Sequence, residues 1–449
     1  MKVLKFGGTS IGSAENMKKV MALIADNEKK IVVLSAMSGT TNKLVEIAEF
    51  LSHKKITPAK LAVRELEERY KQVIEELYPS EKTKTEGTRI VHACFDTLKS
   101  CIASPFNKAM ENTILAQGEL ISTQLFALLL KENGFQAVLL PALDFMCIDK
   151  NKAADLYSIR LNLARSLEEI PQADTYITQG YICRNADNEI DNLQRGGSDY
   201  TASLIGVAID AEEIQIWTDI DGFHNNDPRY VANTQKIERL SFNEAAELAY
   251  FGAKILHPQT VLPAKNHNIP VRLKNTMNPE DSGTLITAES NREGIKAVAA
   301  KDNITAVKIR SDRMLMAYGF LRRIFEIFER YQTPIDMIST SEVAVSLTID
   351  SLEHLTKILA ELNKFGSVEV DRDMTIVCIV GDIIQEEKGF ASKVFNALDG
   401  IPIRMISYGG SRHNISVLVP MARKKETLQS LSNNLLNPEN AIPERNEEP

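Results

Sequence analysis

The first 37 residues fix the class of fold. "VLKF" (Val3 to Phe6) is a short apolar strand followed by two glycines. Next, "SAENMKKVMALIADNEKK" spaces Met17, Val20, Met21 and Ile24 at i, i+3, i+4 and i+7, the signature of an amphipathic helix. "IVVLSAM" (Ile31 to Met37) is then continuously apolar, as a strand buried on both faces is. Strand, helix and buried strand form a βαβ unit, which predicts a parallel sheet. The loop "GGTS" then lies at the carboxyl end of its first strand, where open α/β sheets bind ligands.

More of the chain extends this pattern. "GFQAVLL" (Gly134 to Leu140), "TYITQGYI" (Thr175 to Ile182) and "EEIQIWTD" (Glu212 to Asp219) read as further strands ending in polar or glycine residues. Residues 53–107 read as a helical excursion from the sheet, with Leu66, Tyr70, Val73 and Leu77 forming an apolar stripe in a charged helix. Beyond about residue 295 a repeat appears. "GF" at Gly319–Phe320 recurs at Gly389–Phe390, and "PIDMIS" (Pro334 to Ser339) recurs as "PIRMIS" (Pro402 to Ser407). Each copy runs into an alternating strand, which predicts a small α+β unit used twice, at about 306–375 and 376–436, with 295–305 lending a strand to the second. The acidic, proline-containing stretch 437–449 reads as a disordered tail.

Composition narrows the function. With 52 basic and 60 acidic residues, the net charge of −8 lacks the basic footprint of a nucleic-acid binder. The apolar runs fall short of the ~18 residues a membrane span needs. Glycines and Lys5 interrupt the N-terminus before an apolar leader can form, so a cytoplasmic protein is expected. The five cysteines contain no C-x-x-C pair and read as buried apolar residues. In an acidic chain, cations inside glycine-rich loops are the informative ones. "KFGGTS" pairs Lys5 with Gly7 and Gly8, a cradle suited to phosphate. "QRGGSDYTAS" opens a helix with Arg195, Gly196, Gly197, Ser198 and Asp199. Ser198 or Asp199 as a helix cap is the simple account there, while a guanidinium beside two glycines suits a carboxylate. Walker and Rossmann patterns are absent at the first loop. Asp219 and Asp221 fail calcium-loop spacing, and no metal ligand is assigned.

Taken in order, "KFGGTS", "LSAMSGTTN", "GELIS", "RGGSD", "WTDIDGF…DPR", "GAKILHP" and "KNTMNPEDSGTLI" resemble the aspartate kinases. The resemblance implies an amino-acid kinase fold, an open and mostly parallel α/β sandwich, over 1–290. Two ACT-like regulatory units would follow over 291–436. It implies ATP-dependent phosphorylation of the L-aspartate side-chain carboxylate, with Mg2+ carried by ATP. By resemblance Lys5 and Asp199 are catalytic. ATP would be held by Lys5, Phe6, Gly7, Gly8, Thr218, Asp219, His224, Arg229 and Lys254. Aspartate would be held by Thr41, Glu119, Arg195, Gly196, Gly197 and Ser198, with Glu119 on its ammonium and Arg195 on its α-carboxylate. An amino-acid effector, lysine favoured, would meet Met314, Gly319, Asp336, Ser341 and Glu342, in a homodimer formed through the ACT units. Gln194 replaces the family's usual glycine, and His224 stands where tyrosine is common. The chemistry is coherent with the residues: a carboxylate is already ionised at neutral pH and needs no general base. Two other readings are a catalytically inactive amino-acid sensor and a kinase of the same fold acting on a different carboxylate.

Overall fold

The computed structural model describes the chain except residues 27, 171–172, 194–195, 253–255, 290–293, 312–317, 383–388 and 437–449. Two compact units result. One comprises Met1–Phe223, Glu238–Phe242 and Ile255–Glu289; the other His224–Ile237, Asn243–Lys254 and Ser290–Pro449.

In the first unit β1 (Lys2–Phe6), α1 (Ala14–Leu23) and β2 (Lys30–Leu34) form the expected βαβ unit. Ser13 caps α1 by accepting the Asn16 N–H at 3.2 Å. The helical excursion consists of α3 (Ile56–Leu77) and α4 (Glu81–Ala103), preceded by α2 (Thr40–Ser52) and followed by α5 (Lys108–Glu132). The apolar stripe of α3 is wider than the sequence spacing indicates, since Ala59, Ala62, Val63 and Ile74 are buried beside Leu66, Tyr70, Val73 and Leu77. By length and composition α5 could cross a membrane, yet most of its apolar window is buried within this unit. It is a core helix, longer and more apolar than the sequence reading allowed.

After β3 (Ala137–Leu139) come the short α6 (Ala142–Phe145), α7 (Leu156–Glu169) and β4 (Thr175–Gln179). The predicted strand over 175–182 stops at Gln179 because Tyr181 adopts a positive φ of 67°. A separate hairpin, β5 (Ile182–Arg184) with β6 (Ile190–Asn192), follows. Then come α8 (Gly197–Ala208), β7 (Ile214–Thr218), β8 (Arg239–Ser241), α9 (Phe242–Phe251), α10 (Leu262–Asn266), β9 (Val271–Asn275) and β10 (Thr284–Thr287). The sheet order is β3-β4-β2-β1-β7-β9-β10-β8, with β9 and β10 the antiparallel pair. The carboxyl ends of β1, β2, β4, β7 and β9 therefore share one edge. The core of this unit, including Phe6, Val32, Tyr70, Phe95 and Trp217, packs the helices α1 to α5 on the sheet.

The second unit is built on two long antiparallel strands, β11 (Gly294–Arg310) and β14 (Ser367–Asp382). Between them lie α11 (Phe320–Arg330), β12 (Ile338–Thr340), β13 (Ala344–Ile349) and α12 (Leu355–Leu362). After β14 come α13 (Phe390–Asn396), β15 (Met405–Ser407), β16 (Asn414–Pro420) and α14 (Lys424–Leu431). The six-stranded order β12-β13-β11-β14-β16-β15 places the two copies of the repeat side by side. Each recurring glycine sits at a helix start with positive φ, Gly319 at 76° before α11 and Gly389 at 87° before α13. The first half of β11 pairs with 376–382, while its second half pairs with β13 and 367–371. Separate apolar cores support the copies, one around Ile324, Phe328 and Leu347, the other around Val394, Val417 and Leu428.

Segments 224–237 and 243–254 belong to this unit although they precede residue 290. The reason is visible in their contacts. Asn225 O accepts the Val298 N–H at 2.8 Å, and Asn226 donates to Leu428 O at 3.1 Å. Glu244, fully buried, pairs with Lys296 at 2.9 Å. The tail predicted at 437–449 lies outside the described residues.

Candidate functional site

Lys5 ends the central strand β1, and its ammonium lies 2.6 Å from Asp199 Oδ1. The two side chains are only 11% and 16% exposed. Asp199 sits in the first turn of α8, the helix packed on the β1 face that carries Lys5. No side chain caps α8: its N-cap is Gly196, in the left-handed conformation, so Ser198 and Asp199 are not caps. The α2 helix begins the same way, with Gly39 at a φ of 79° and no side-chain cap. Two helix N-termini thus keep uncapped N–H groups, the arrangement that favours an anion. Thr41, in the first turn of α2, is partly buried.

The glycines next to Lys5 serve different purposes. The Gly7 N–H donates to Trp217 O at 3.2 Å, so it continues the sheet and is not available to phosphate as the sequence reading had it. The Gly8 N–H has no acceptor among the described residues, whereas the Gly8 carbonyl accepts from Ser38 N–H at 3.0 Å. A Cβ at Gly8 would lie 2.9 Å from Ala36 O, so only glycine lets the two loops approach. The Phe6 side chain is fully buried and stacks on Trp217 with ring centroids 5.6 Å apart. Phe6 therefore shapes the loop from the core. Gly180 performs the equivalent task after β4, where a Cβ would fall 2.5 Å from Ser198 Cβ and Oγ.

Glu119 lies in α5, 3% exposed, beneath the loop after β2. Its Oε1 accepts the Ala36 N–H at 3.2 Å, and its Oε2 is buried without a hydrogen-bond partner. Burial pushes its carboxyl up to about 8, against the opposing pull of the Ala36 N–H. Such a group holds its proton until a cation arrives.

Thr218 ends β7 and donates to Asp219 Oδ1 at 3.1 Å, with Asp219 exposed. Both belong to the first unit, whereas His224 and Arg229 belong to the second. His224 Nδ1 is 3.3 Å from Thr234 Oγ1. The Arg229 guanidinium is held by Asp227 at 2.7 Å and lies over the Tyr230 ring. Arg195, Lys254 and Met314 lie outside the described residues. Among the effector candidates, Gly319 starts α11, Ser341 and Glu342 are exposed in the β12–β13 turn, and the Asp336 carboxylate is 1% exposed.

Two further cations reach this edge of the sheet. Arg69, in α3, donates to Ser38 O at 2.7 Å and so braces the loop that leads into Thr41. Lys274, next to the last residue of β9, has its ammonium 4.8 Å from the centre of the Trp217 ring, and burial lowers its pKa. Sequence spacing gives no hint of Arg69, which lies 31 positions from its partner in a charge-rich helix.

Two helix N-termini without side-chain caps, a buried lysine and a buried carboxyl at the carboxyl edge of a mostly parallel sheet suit an anionic small molecule in an α/β fold. Comparison with known proteins agrees. Residues 1–275 match the model of the amino acid kinase family, and residues 377–435 match the ACT domain model. The chain is 34% identical over 446 residues to lysine-sensitive aspartokinase 3 of Escherichia coli (strain K12), covering 96% of this chain and 98% of that one. The structure of E. coli aspartokinase III with aspartate and ADP (R-state) is similar at a TM-score of 0.78 and 33% identity, covering 97% of this chain and 100% of that chain. The same enzyme with lysine and aspartate (T-state) gives 0.80 at 33% identity and the same coverage. The chain belongs to the amino acid kinase family and, within it, to the aspartokinases.

Proposed function

We propose that this chain transfers the γ-phosphoryl group of ATP to the side-chain carboxylate of L-aspartate, giving 4-phospho-L-aspartate and ADP. The observation that carries this reading is the presence, in one unit, of a buried Lys5–Asp199 couple and of the buried Glu119 carboxyl whose Oε2 has no hydrogen-bond partner. Lys5 supplies positive charge where the transferring phosphoryl accumulates negative charge, and Asp199 holds its ammonium in place. The Gly8 N–H and the N-terminus of α8 add fixed donors that need no reorganisation. Glu119 receives the substrate ammonium, and Arg195 its α-carboxylate. The attacking carboxylate is ionised at neutral pH, so no side chain has to remove a proton.

Thr218 and Asp219 support the nucleotide in the first unit, while His224, Arg229 and Lys254 are nucleotide candidates by sequence resemblance alone. Among the described residues no three His, Cys, Asp or Glu side chains gather as a metal site. That donor set fits an Mg2+ held mainly by phosphate oxygens and water, with Asp199 as the nearby carboxylate. The ion would neutralise charge on the triphosphate. The ACT units bind an amino acid, with lysine favoured because Asp336 and Glu342 are acidic. They also join two chains into a homodimer, and the protein works in the cytoplasm.

The test is product trapping. Enzyme, MgATP and hydroxylamine should yield the aspartyl hydroxamate with aspartate and negligible hydroxamate with glutamate or acetylglutamate. Equal yields with glutamate would move the chain to a different substrate; no hydroxamate with any of them would leave the sensor reading.

A further inference from the structure

The carboxylate assigned to the effector is already engaged by the chain itself. Lys301 Nζ lies 2.7 Å from Asp336 Oδ1 and 3.0 Å from Asp350 Oδ2. The hydroxyl of Tyr250 donates to the same Asp336 oxygen at 2.5 Å, and the Lys301 ammonium sits 4.4 Å from the centre of the Tyr250 ring. Asp336 Oδ2, in contrast, is buried with no hydrogen-bond partner. Two carboxylates and one ammonium leave one negative charge, and the bare oxygen marks where a donor is missing. A buried acceptor without a donor is costly, and one further ammonium would satisfy both the atom and the charge.

Tyr250 gives this cluster a route to the nucleotide residues. It lies on α9, whose last residue is three positions before Lys254. The chain after α9 is held against β11 beside Lys301, since a Cβ on Gly252 would fall 2.6 Å from Ala300 O. The same helix is tied to the second copy of the repeat, where Glu247 accepts from Ser411 at 3.0 Å and Asn414 at 2.6 Å. One helix thus reads both copies and leads directly into "GAKILHP".

We propose that Lys301 is a tethered competitor for the effector carboxylate and that Tyr250 transmits the outcome to α9. An ammonium-bearing amino acid donates to Asp336 Oδ2 and draws charge from Lys301. Lys301 then shifts toward Asp350, and the Tyr250 bond to Oδ1 is reset. Such an effector acts only through its different affinity for the two arrangements of this cluster. The proposal rests on Asp336 lining the effector site, and makes Lys301 a determinant of effector affinity and Tyr250 a coupling residue.

The test combines calorimetric binding of lysine with inhibition curves, each normalised to the variant's own uninhibited rate. Lys301→Met should bind lysine about tenfold more tightly and shift its inhibition curve equally, within the usual range of allosteric coupling. Lys301→Gln, which keeps a donor without the charge, should move the same way and guards against a folding defect in one variant. Tyr250→Phe should bind lysine within about twofold of the parent while its inhibition weakens by about fivefold or more. Unchanged or weaker lysine binding in both Lys301 variants overturns the competitor role while leaving the pocket intact. Parallel loss of binding and inhibition in Tyr250→Phe overturns the coupling role. A parent enzyme that binds no lysine overturns the Asp336 assignment, and this proposal with it.

Discussion

Replacing Glu119 by glutamine should make the protein relatively more stable at high pH while weakening its hold on aspartate and abolishing the proton release on binding. Burial raises the Glu119 carboxyl from its ordinary 4.5 to about 8. The folded state therefore holds a proton that the unfolded chain has released, and the stability Glu119 contributes is complete below about pH 4.5. It is lost as pH rises through about 8, a total of roughly 5 kcal/mol at about 1.4 kcal/mol for each tenfold change. Between about pH 5.5 and pH 8.5 the expected loss from this one group is about 3 kcal/mol. Glu119→Gln keeps the shape and one acceptor for the Ala36 N–H but cannot ionise. Chemical denaturation should show the variant gaining about 3 kcal/mol on the parent over that pH interval. The ligand-bound protein provides the second half of the test. At about pH 7 the unliganded carboxyl is about nine-tenths protonated, and seating the aspartate ammonium ionises it, releasing about 0.9 proton. Titration calorimetry of aspartate in buffers of different ionisation enthalpy reads this number directly. The parent should show the release and Glu119→Gln should not, while aspartate KM rises steeply in the variant. A parent whose aspartate binding is independent of buffer would refute the assignment of Glu119 to the ammonium, and a variant with the same pH slope as the parent would refute the raised carboxyl.

Other expectations follow from contacts in each unit. Lys296→Met removes the ammonium paired with the fully buried Glu244 carboxylate and should destabilise the second unit, by up to about 3–5 kcal/mol, read by thermal or chemical denaturation; an unchanged midpoint would mean the pair contributes nothing to stability. Gly180→Ala forces a Cβ onto Ser198, 2.5 Å away, and should lower kcat for aspartate phosphorylation by an order of magnitude or more while the far-ultraviolet circular dichroism stays native. Normal turnover in that variant would show that the start of α8 can shift freely.

The sequence made the first unit's framework legible because its signals are local. Strand, helix, strand and a glycine loop lie within 37 residues, and their periodicity survives without tertiary information. The repeat was legible for the same reason, since Gly319 and Gly389 each need a positive φ at a helix start. What the sequence concealed depends on chain segments meeting far from one another. Lys5 meets Asp199 across 194 positions, and the Gly7 N–H is consumed by Trp217, which no spacing can reveal. The length of α5 was hidden because it is apolar on nearly all sides and shows no amphipathic period. Segments 224–237 and 243–254 read as kinase sequence because they interrupt it, yet their hydrogen bonds run to β11 and α14. Lys301, Tyr250 and Asp350 carry no motif; only the fold brings them to Asp336.

The most direct measurement of the central claim is ADP formation by the purified full chain, followed with a coupled assay in MgATP with and without L-aspartate, beside Lys5→Met. The parent should release ADP only when aspartate is present. The variant should keep the parent's far-ultraviolet circular dichroism at the assay temperature and lose about 10²–10³ in turnover, the cost of removing one electrostatic stabiliser of a phosphoryl transition state. ADP formation that ignores aspartate, or a Lys5→Met enzyme as fast as the parent, would contradict the account.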